Sequence, residues 1–469
     1  MSARVPIRGT GTEQAVVAVK DRNGFLAKGL PHCADTPMAT VDENVKGRTV
    51  VGSAKPFPIT KRQVWEAYKR VRANRGAAGV DGQTLASFDE NAVGNLYKIW
   101  NRLASGSYMP SAVRCVEIPK SDGGKRPLGI PTVSDRIAQM VVKQAMEPVL
   151  EAVFHDDSFG YRPGKSAHNA IAQTRKRCWK YDWIVEIDIK GFFDNIDHDL
   201  LMKAVRHHTQ ERWVMMYVER WLKAPVQMRD GTIEGRAKGT PQGGVISPLL
   251  ANLFLHYVFD MWMQRCHHDI PFERYADDAV CHCSSQEQAE TLICHLRQRF
   301  AQCGLELHPQ KTQIVYCKDV DRRGNYPKTS FDFLGYTFRP RLSKNRWGKT
   351  FVNFSPAMSA KAGKLIRQEI RDWNLQNRSD KSLVDLARMF NAKIRGWVNY
   401  YSAFYKSALY PTLRQIDRKL MLWLTRKYKR LRGHRRRASH WLARVARKDT
   451  RLFAHWSLLW GQASMGRAG

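Results

Sequence analysis

No stretch of the 469 residues approaches eighteen consecutive apolar side chains, so no membrane-spanning helix is expected. The apolar patch nearest the N-terminus, Ala15 to Val19, is five residues long, too short for the core of a secretory signal. Cysteine is sparse. The nine cysteines are scattered and none forms a Cys-x2-Cys pair, which fits a reducing compartment and excludes a disulfide scaffold. Zinc is not expected either. Cys281, His282 and Cys283 would continue a strand, where neighbours point to opposite faces, and Cys266, His267 and His268 lack a partner pair. There is no internal repeat and no low-complexity tract. Acidic residues are few, 43 Asp+Glu against 77 Lys+Arg, for a formal net charge of +34. That excess implies a polyanionic partner, nucleic acid before an anionic membrane, because no single basic amphipathic helix dominates.

The chain can still build a sizeable core: 43% of it is hydrophobic and it holds 14 Trp. Its length suggests about three domains. Residues 1–55, rich in Gly, Thr, Ala and Pro, read as a loosely ordered extension, and the early Glu13 and Asp21 argue against an organellar transit peptide. Thr60 is placed to cap a helix through Val64, Trp65, Tyr68 and Val71. A turn cluster at Gly76–Gly82 precedes a helix expected over Phe88–Leu103. Val113–Pro119 and Arg126–Ile130 read as a hairpin around Ser121–Gly124. Helices are expected at Asp135–Val153, Pro248–Met263 and Gln286–Cys303, the last closed by Gly304. Beyond Phe338 the chain is expected to be mostly helical, aromatic and basic.

Chemistry concentrates in two short strands. Trp183–Ile189 (WIVEIDI) carries Asp188 at its end, and Phe272–Cys283 folds two strands around Tyr275-Ala276-Asp277-Asp278. A carboxylate closing an apolar strand is costly without a partner, and two adjacent ones in a turn repel each other. A divalent cation resolves both costs. Oxygen-only donors favour Mg²⁺, and a pair of such ions suits phosphoryl transfer. Taken alone, YADD is as readily an exposed acidic turn. The aromatic five residues after Asp188, Phe193, joins it to the strand-and-acid pattern of nucleic-acid polymerase palms, although alone it would be read as core. Gly164-Lys165-Ser166 is not a P-loop, because position 159 is Phe.

From about residue 58 to about 440 the chain resembles the reverse transcriptases encoded by group II introns. The stretches that carry the resemblance are Gly79–Gly82, Ile118–Lys120 with Lys125–Thr132, Asp135–Ile137 and Ser158–Gly164 (SFGYRPG). After these come the Asp188 strand, Gly239–Pro248 (GTPQGGVISP), YADD, Leu307–Thr312 and Phe333–Tyr336, in the family's order. The resemblance implies an α+β right-hand polymerase: fingers and a palm with an antiparallel sheet, plus an α-helical thumb. It implies that Asp188, Asp277 and Asp278, with the Ile189 carbonyl, hold two Mg²⁺ ions. Phe193 would be the steric gate that selects dNTPs. Lys120 and Arg126 would hold the triphosphate, with Arg114 near template or nucleotide. Gln242 and Gly243 would lie beside the nascent base pair, and Lys311 near the pyrophosphate as a general acid.

From Arg426 to Lys448 there are eleven Lys/Arg and no Asp/Glu. Arg426, Lys427, Lys429, Arg430, Arg432, Arg435, Arg436 and Arg437 are the candidate nucleic-acid contacts. Aromatics such as Trp423, Tyr428 and Trp441 interleave with them and are equally readable as helix core. The pattern suits a helical thumb gripping a duplex by its backbone. It also resembles the family's maturase-specific domain. The domains expected are 1–55, the extension; 56–350, fingers and palm; 351–435, thumb and maturase domain; and 436–469, a basic tail that could bind DNA. No cysteine follows Cys317, so the family's Cys-rich HNH endonuclease is expected to be absent. The implied partners are group II intron RNA, an RNA template with DNA primer, target DNA and dNTPs, in a bacterial cytoplasm with nucleoid association during DNA binding. The alternatives are a relative domesticated for defence or DNA repair, and a maturase acting mainly as an RNA-binding splicing factor.

Overall fold

A computed structural model of the chain describes residues 55–119 and 124–460. Its strands are β1 Val113–Pro119, β2 Lys125–Ile130, β3 Trp183–Ile187, β4 Val226–Gln227, β5 Ile233–Glu234 and β6 Phe272–Tyr275. They continue as β7 Asp278–Cys283, β8 Gln313–Tyr316, β9 Phe331–Phe333, β10 Tyr336–Lys344 and β11 Thr350–Met358. Three sheets result, ordered β2-β1-β4-β5, β6-β7-β3-β8 and β11-β10-β9.

The central sheet, β6-β7-β3-β8, is antiparallel throughout. Trp183, Ile184, Val185 and Ile187 of β3 are buried on both faces. A strand covered on both faces reads as a continuous apolar run, as this one does. Helices cover the sheet: Val133–Glu151, Ser247–Leu255 and Gln286–Gln302 contribute Ile137, Leu253 and Leu296 to one large core. A second core, from Ile366 to Trp456, lies within the C-terminal helices. A third joins the back of the central sheet to β9–β11 through Ile184, Val280, Val315, Phe338 and Phe354.

The local rules decide most boundaries. Thr60 accepts from Gln63 N, and the Gln63 side chain accepts from Thr60 N, a complete capping box for helix Lys61–Ala73. The helix expected over Phe88–Leu103 is two helices, Leu85–Glu90 and Ala92–Ser105. Asn91 (φ −132°) breaks them apart and its side chain caps the second from Gly94 N. The helix expected over Pro248–Met263 holds a π-helical turn at His256–Asp260. The larger departure lies beyond Phe338, where β10 and β11 form a nine-pair hairpin before any helix begins at Ala360. The 350/351 boundary falls inside that hairpin. Each strand carries a proline, Pro340 and Pro356, and β10 carries three cations, a composition that argues against strand. Past 436, helix Arg435–Lys448 adds Ala438, Leu442 and Ala446 to the second core, and Phe453 and Trp456 follow. No described helix is long and apolar enough to cross a membrane.

A candidate active site at the end of the central sheet

The register of the central sheet assembles the acids. β3 and β7 pair Glu186 with Val280 and Ile187 with Ala279. One step further in the same register sets Asp188 opposite Asp278, the spacing of a cross-strand pair, ~5 Å between Cβ atoms. Asp277 sits in the tight turn between β6 and β7. That turn needs Ala276 at φ +57°, a left-handed conformation that costs a non-glycine residue about 1 kcal/mol or more.

A buried strut fixes this turn. Arg274 is 1% exposed and forks onto Asp260 through Nε (2.7 Å) and Nη2 (2.6 Å). Its Nη1 donates to Asn252 Oδ1 (2.9 Å) and to the Ala276 carbonyl (3.1 Å). Asn252 Nδ2 in turn donates to the Gly160 carbonyl (2.7 Å). Gly160 lies so close that a Cβ there would meet Ala276 N at 2.3 Å. The SFGYRPG segment, the π-helical turn and YADD are thus one hydrogen-bonded unit.

On the other side of β3, His308 N donates to the Asp188 carbonyl (2.8 Å), and Ile189 bridges Leu307. Lys311 Nζ lies 3.2 Å from Asp188 Oδ2. The acids crowd one another. Asp277 is raised from its ordinary value by burial and by Asp188, against Arg126 and Lys311. Asp278 is pushed up to about 7 by burial, Asp277, Asp188 and Glu186. Its edge is open to solvent, so the three like charges weigh more than burial. Among the described residues no three His, Cys, Asp or Glu side chains form a ready-made metal site. The donor set nonetheless fits a hard divalent cation: oxygen only and mutually repelling, with Lys311 and Arg126 as the neighbouring counter-charges.

The hairpin of β1 and β2 delivers the basic groups. Arg126 Nε donates to Gln242 Oε1, joining two residues singled out in the sequence. Gln242 O accepts from Gly129 N (2.8 Å). Gly243 (φ +123°) must be glycine, since a Cβ would meet the Gly129 carbonyl at 2.4 Å. Arg114 and Lys125 line a groove of ≈ 600 Å³ beside this hairpin, and Arg114 Nε is buried without a hydrogen-bond partner. Lys120 lies outside the described residues. Phe193 is 6% exposed and packs edge-on to Phe192, while its carbonyl accepts from Thr240 N (2.8 Å).

Sequence reading gave no role to Tyr161. It is 53% exposed, holds φ +58°, and feels the charges of Asp277, Arg126 and Asp278. The only signal in the sequence was its place as an aromatic within the turn-forming Gly160-Tyr161-Arg162-Pro163-Gly164. Arg274 was legible only as the residue preceding YADD.

Of the C-terminal cations, Lys427 is tied down: Nζ donates to the carbonyls of Ser379 (2.9 Å) and Lys381 (2.7 Å). Arg426 donates to Asn377 Oδ1. Lys429, Arg430, Arg432, Arg435, Arg436 and Arg437 are exposed. The aromatics divide toward the core. Trp423 is fully buried, Trp397 stacks on Trp373 (5.3 Å, 9°), and Tyr428 keeps 42% exposure.

An antiparallel sheet ending in strand-borne acids, beside a basic hairpin and followed by a helical unit, is the arrangement of a right-hand polymerase fold. Residues 118–338 match the family described as reverse transcriptase (RNA-dependent DNA polymerase). Residues 364–441 match the group II intron, maturase-specific domain. The chain is thus similar to reverse transcriptases over the central sheet and to the maturase-specific domain over the C-terminal helices. It is 39% identical over 210 residues to Protein YkfC of Escherichia coli, covering 42% of this chain and 53% of that one. It is 38% identical over 193 residues to the group II intron-encoded protein LtrA of Lactococcus lactis, covering 40% and 32%. The putative COX1/OXI3 intron 1 protein of Saccharomyces cerevisiae is 31% identical over 198 residues, covering 42% and 24%. The chain thus spans about half of the first relative and about a third of the second.

Proposed function

We propose that the protein is an RNA-directed DNA polymerase that also binds a group II intron RNA and promotes its splicing and mobility. The observation that carries the reading is the β3–β7 register, which brings Asp188 and Asp278 opposite each other beside Asp277. In this reading Asp188, Asp277, Asp278 and the Ile189 carbonyl would hold two Mg²⁺ ions. What such ions supply when bound is charge that activates a primer 3′-hydroxyl and stabilises a departing pyrophosphate.

The chain's own groups do the rest. Arg126, oriented by Gln242, meets the triphosphate, where a guanidinium can grip two oxygens at once. Lys120 shares that task, and Arg114 meets template or nucleotide. Gln242 and Gly243 let the backbone approach the nascent pair closely. Lys311, 3.2 Å from Asp188, is positioned to give a proton toward the leaving group once its partner is otherwise neutralised. Phe193 bounds the sugar and selects dNTPs. The exposed cations from Lys429 to Arg437 hold RNA phosphates, with target DNA as a further ligand. The domain roles follow: fingers and palm up to the β10–β11 hairpin, and thumb and maturase domain over the helices from Ala360 to Trp460, which share the second core.

Primer extension on an RNA template tests this. DNA synthesis that needs Mg²⁺, stops in EDTA and prefers dNTPs over rNTPs is expected. A folded protein that binds intron RNA and aids splicing but makes no DNA would replace the reading with that of an RNA-binding splicing factor.

A further inference from the structure

The β10–β11 hairpin ends in a turn, Asn345-Arg346-Trp347-Gly348-Lys349, that takes no part in the site described above. The turn is built rather than loose. Asn345 Oδ1 accepts from Trp347 N (3.0 Å) and Lys349 N (2.9 Å). The Asn345 carbonyl accepts from Gly348 N (3.0 Å), and Gly348 holds φ +86°. The product of this order is an outward-facing indole, 75% exposed. Arg346 covers one face of the ring, its guanidinium 4.1 Å from the centroid, and leaves the other face open. Lys344 and Lys349 bracket the turn in sequence, both exposed. No ion pair among the described residues involves Lys344, Arg346 or Lys349. From Arg339 to Met358 the hairpin holds no acidic residue.

Charge decides the occupant. A lone exposed Trp would suit many partners, but one on a turn bracketed by unpaired cations and without acids suits a polyanion. Among polyanions, an open aromatic face is matched by a base whose own face is uncovered. Bases inside a duplex are covered by their neighbours. We propose that this hairpin tip is a second nucleic-acid contact, separate from the polymerase cleft, where Trp347 stacks on an unpaired nucleobase and Lys344 and Lys349 hold the flanking phosphates. The proposal does not depend on polymerase activity, since the tip needs neither metal nor nucleotide.

The test is binding by the full chain in EDTA, at fixed salt, to three probes: a uridine 20-mer, a thymidine 20-mer and a blunt RNA duplex of equal length. Trp347→Ala is expected to weaken single-strand binding roughly tenfold, with duplex binding unchanged and Trp347→Phe retaining most of the affinity. Loss on the RNA strand, the DNA strand or both supports the contact, and says which sugar it accepts. Lys344→Gln with Lys349→Gln should lower the salt slope by roughly one to two. Unchanged single-strand affinity in Trp347→Ala overturns the proposal. So does an equal loss on duplex and single strand, which would mean the tip acts without stacking. Gain of binding to anionic vesicles by wild type but not Trp347→Ala, with RNA binding equal, would assign the tip to a membrane and overturn it too. Thermal melting of each variant, expected to match wild type because the ring is exposed, guards against misfolding.

Discussion

His256 is 3% exposed, and burial holds its imidazole down at about 4, against the pull of Asp260 and with the push of Arg274. The ordinary value is 6.5. The unfolded chain therefore binds a proton between pH 6.5 and 4 that the folded one refuses, so stability falls as pH falls through that window. The loss is about 3 kcal/mol at its acid end. His256→Leu should flatten the pH dependence of the melting temperature between pH 7 and 5, and an unaltered slope would place the sensitivity elsewhere. Phe193 offers a second test at this scale. Its ring is 6% exposed and could be core alone. If it bounds the sugar, Phe193→Val should raise rNTP incorporation relative to dNTP by roughly tenfold or more in single-nucleotide extension, because the smaller side chain leaves room for one extra hydroxyl. An unchanged ratio would leave Phe193 as packing.

Among the elements, the β6–β7 turn depends on groups distant in sequence. Arg274 and Asp260 are buried together, at 1% and 0% exposure. Arg274→Met would strand the Asp260 carboxylate and should cost about 3–5 kcal/mol. A thermal melt of the variant should show a large loss, whereas a melt like wild type would mean that solvent reaches Asp260. The same elements show what could be read without coordinates. Helix Lys61–Ala73, the β1–β2 hairpin and the short strands around Asp188 and YADD were legible because capping residues, turn clusters and apolar alternation are local signals. The hairpin of β10 and β11 was not, because its prolines and cations contradict strand propensity, and its pairing is fixed by packing on the third core. Nor was the Arg274–Asp260–Asn252–Gly160 chain legible. It spans 114 residues of sequence, and only the fold brings it together. Asp188, Asp277 and Asp278 were readable as a set, but that Asp188 faces Asp278 across two strands is a fact of register. Aromatics in the C-terminal helices were ambiguous in the sequence, and burial assigns most of them to the core.

Across the whole molecule the dominant quantity is charge, +34 over 469 residues. Helix Arg435–Lys448 turns Ala438, Leu442 and Ala446 inward and leaves Arg435, Arg436, Arg437 and Arg444 exposed. Uncompensated cations repel one another, and phosphates relieve that cost. Intron RNA affinity should therefore fall steeply with ionic strength, on the order of a thousandfold between 50 and 200 mM salt for six or more phosphates contacted. A slope near zero would sink the role assigned to these cations. The helical unit is held to the sheet at a few points. Tyr400 Oη donates to the Leu334 carbonyl (2.7 Å), and the Tyr400 carbonyl accepts from Tyr336 Oη. Binding and synthesis should therefore be separable by mutation. The most direct test of the account compares RNA-templated primer extension by wild type with Asp188→Asn, Asp277→Asn and Asp278→Asn, each first shown to bind template-primer normally. The account predicts that all three lose DNA synthesis by at least about a thousandfold, a loss of roughly 4 kcal/mol in transition-state stabilisation. Full synthesis by any of them would contradict the assignment of these carboxylates to the active site.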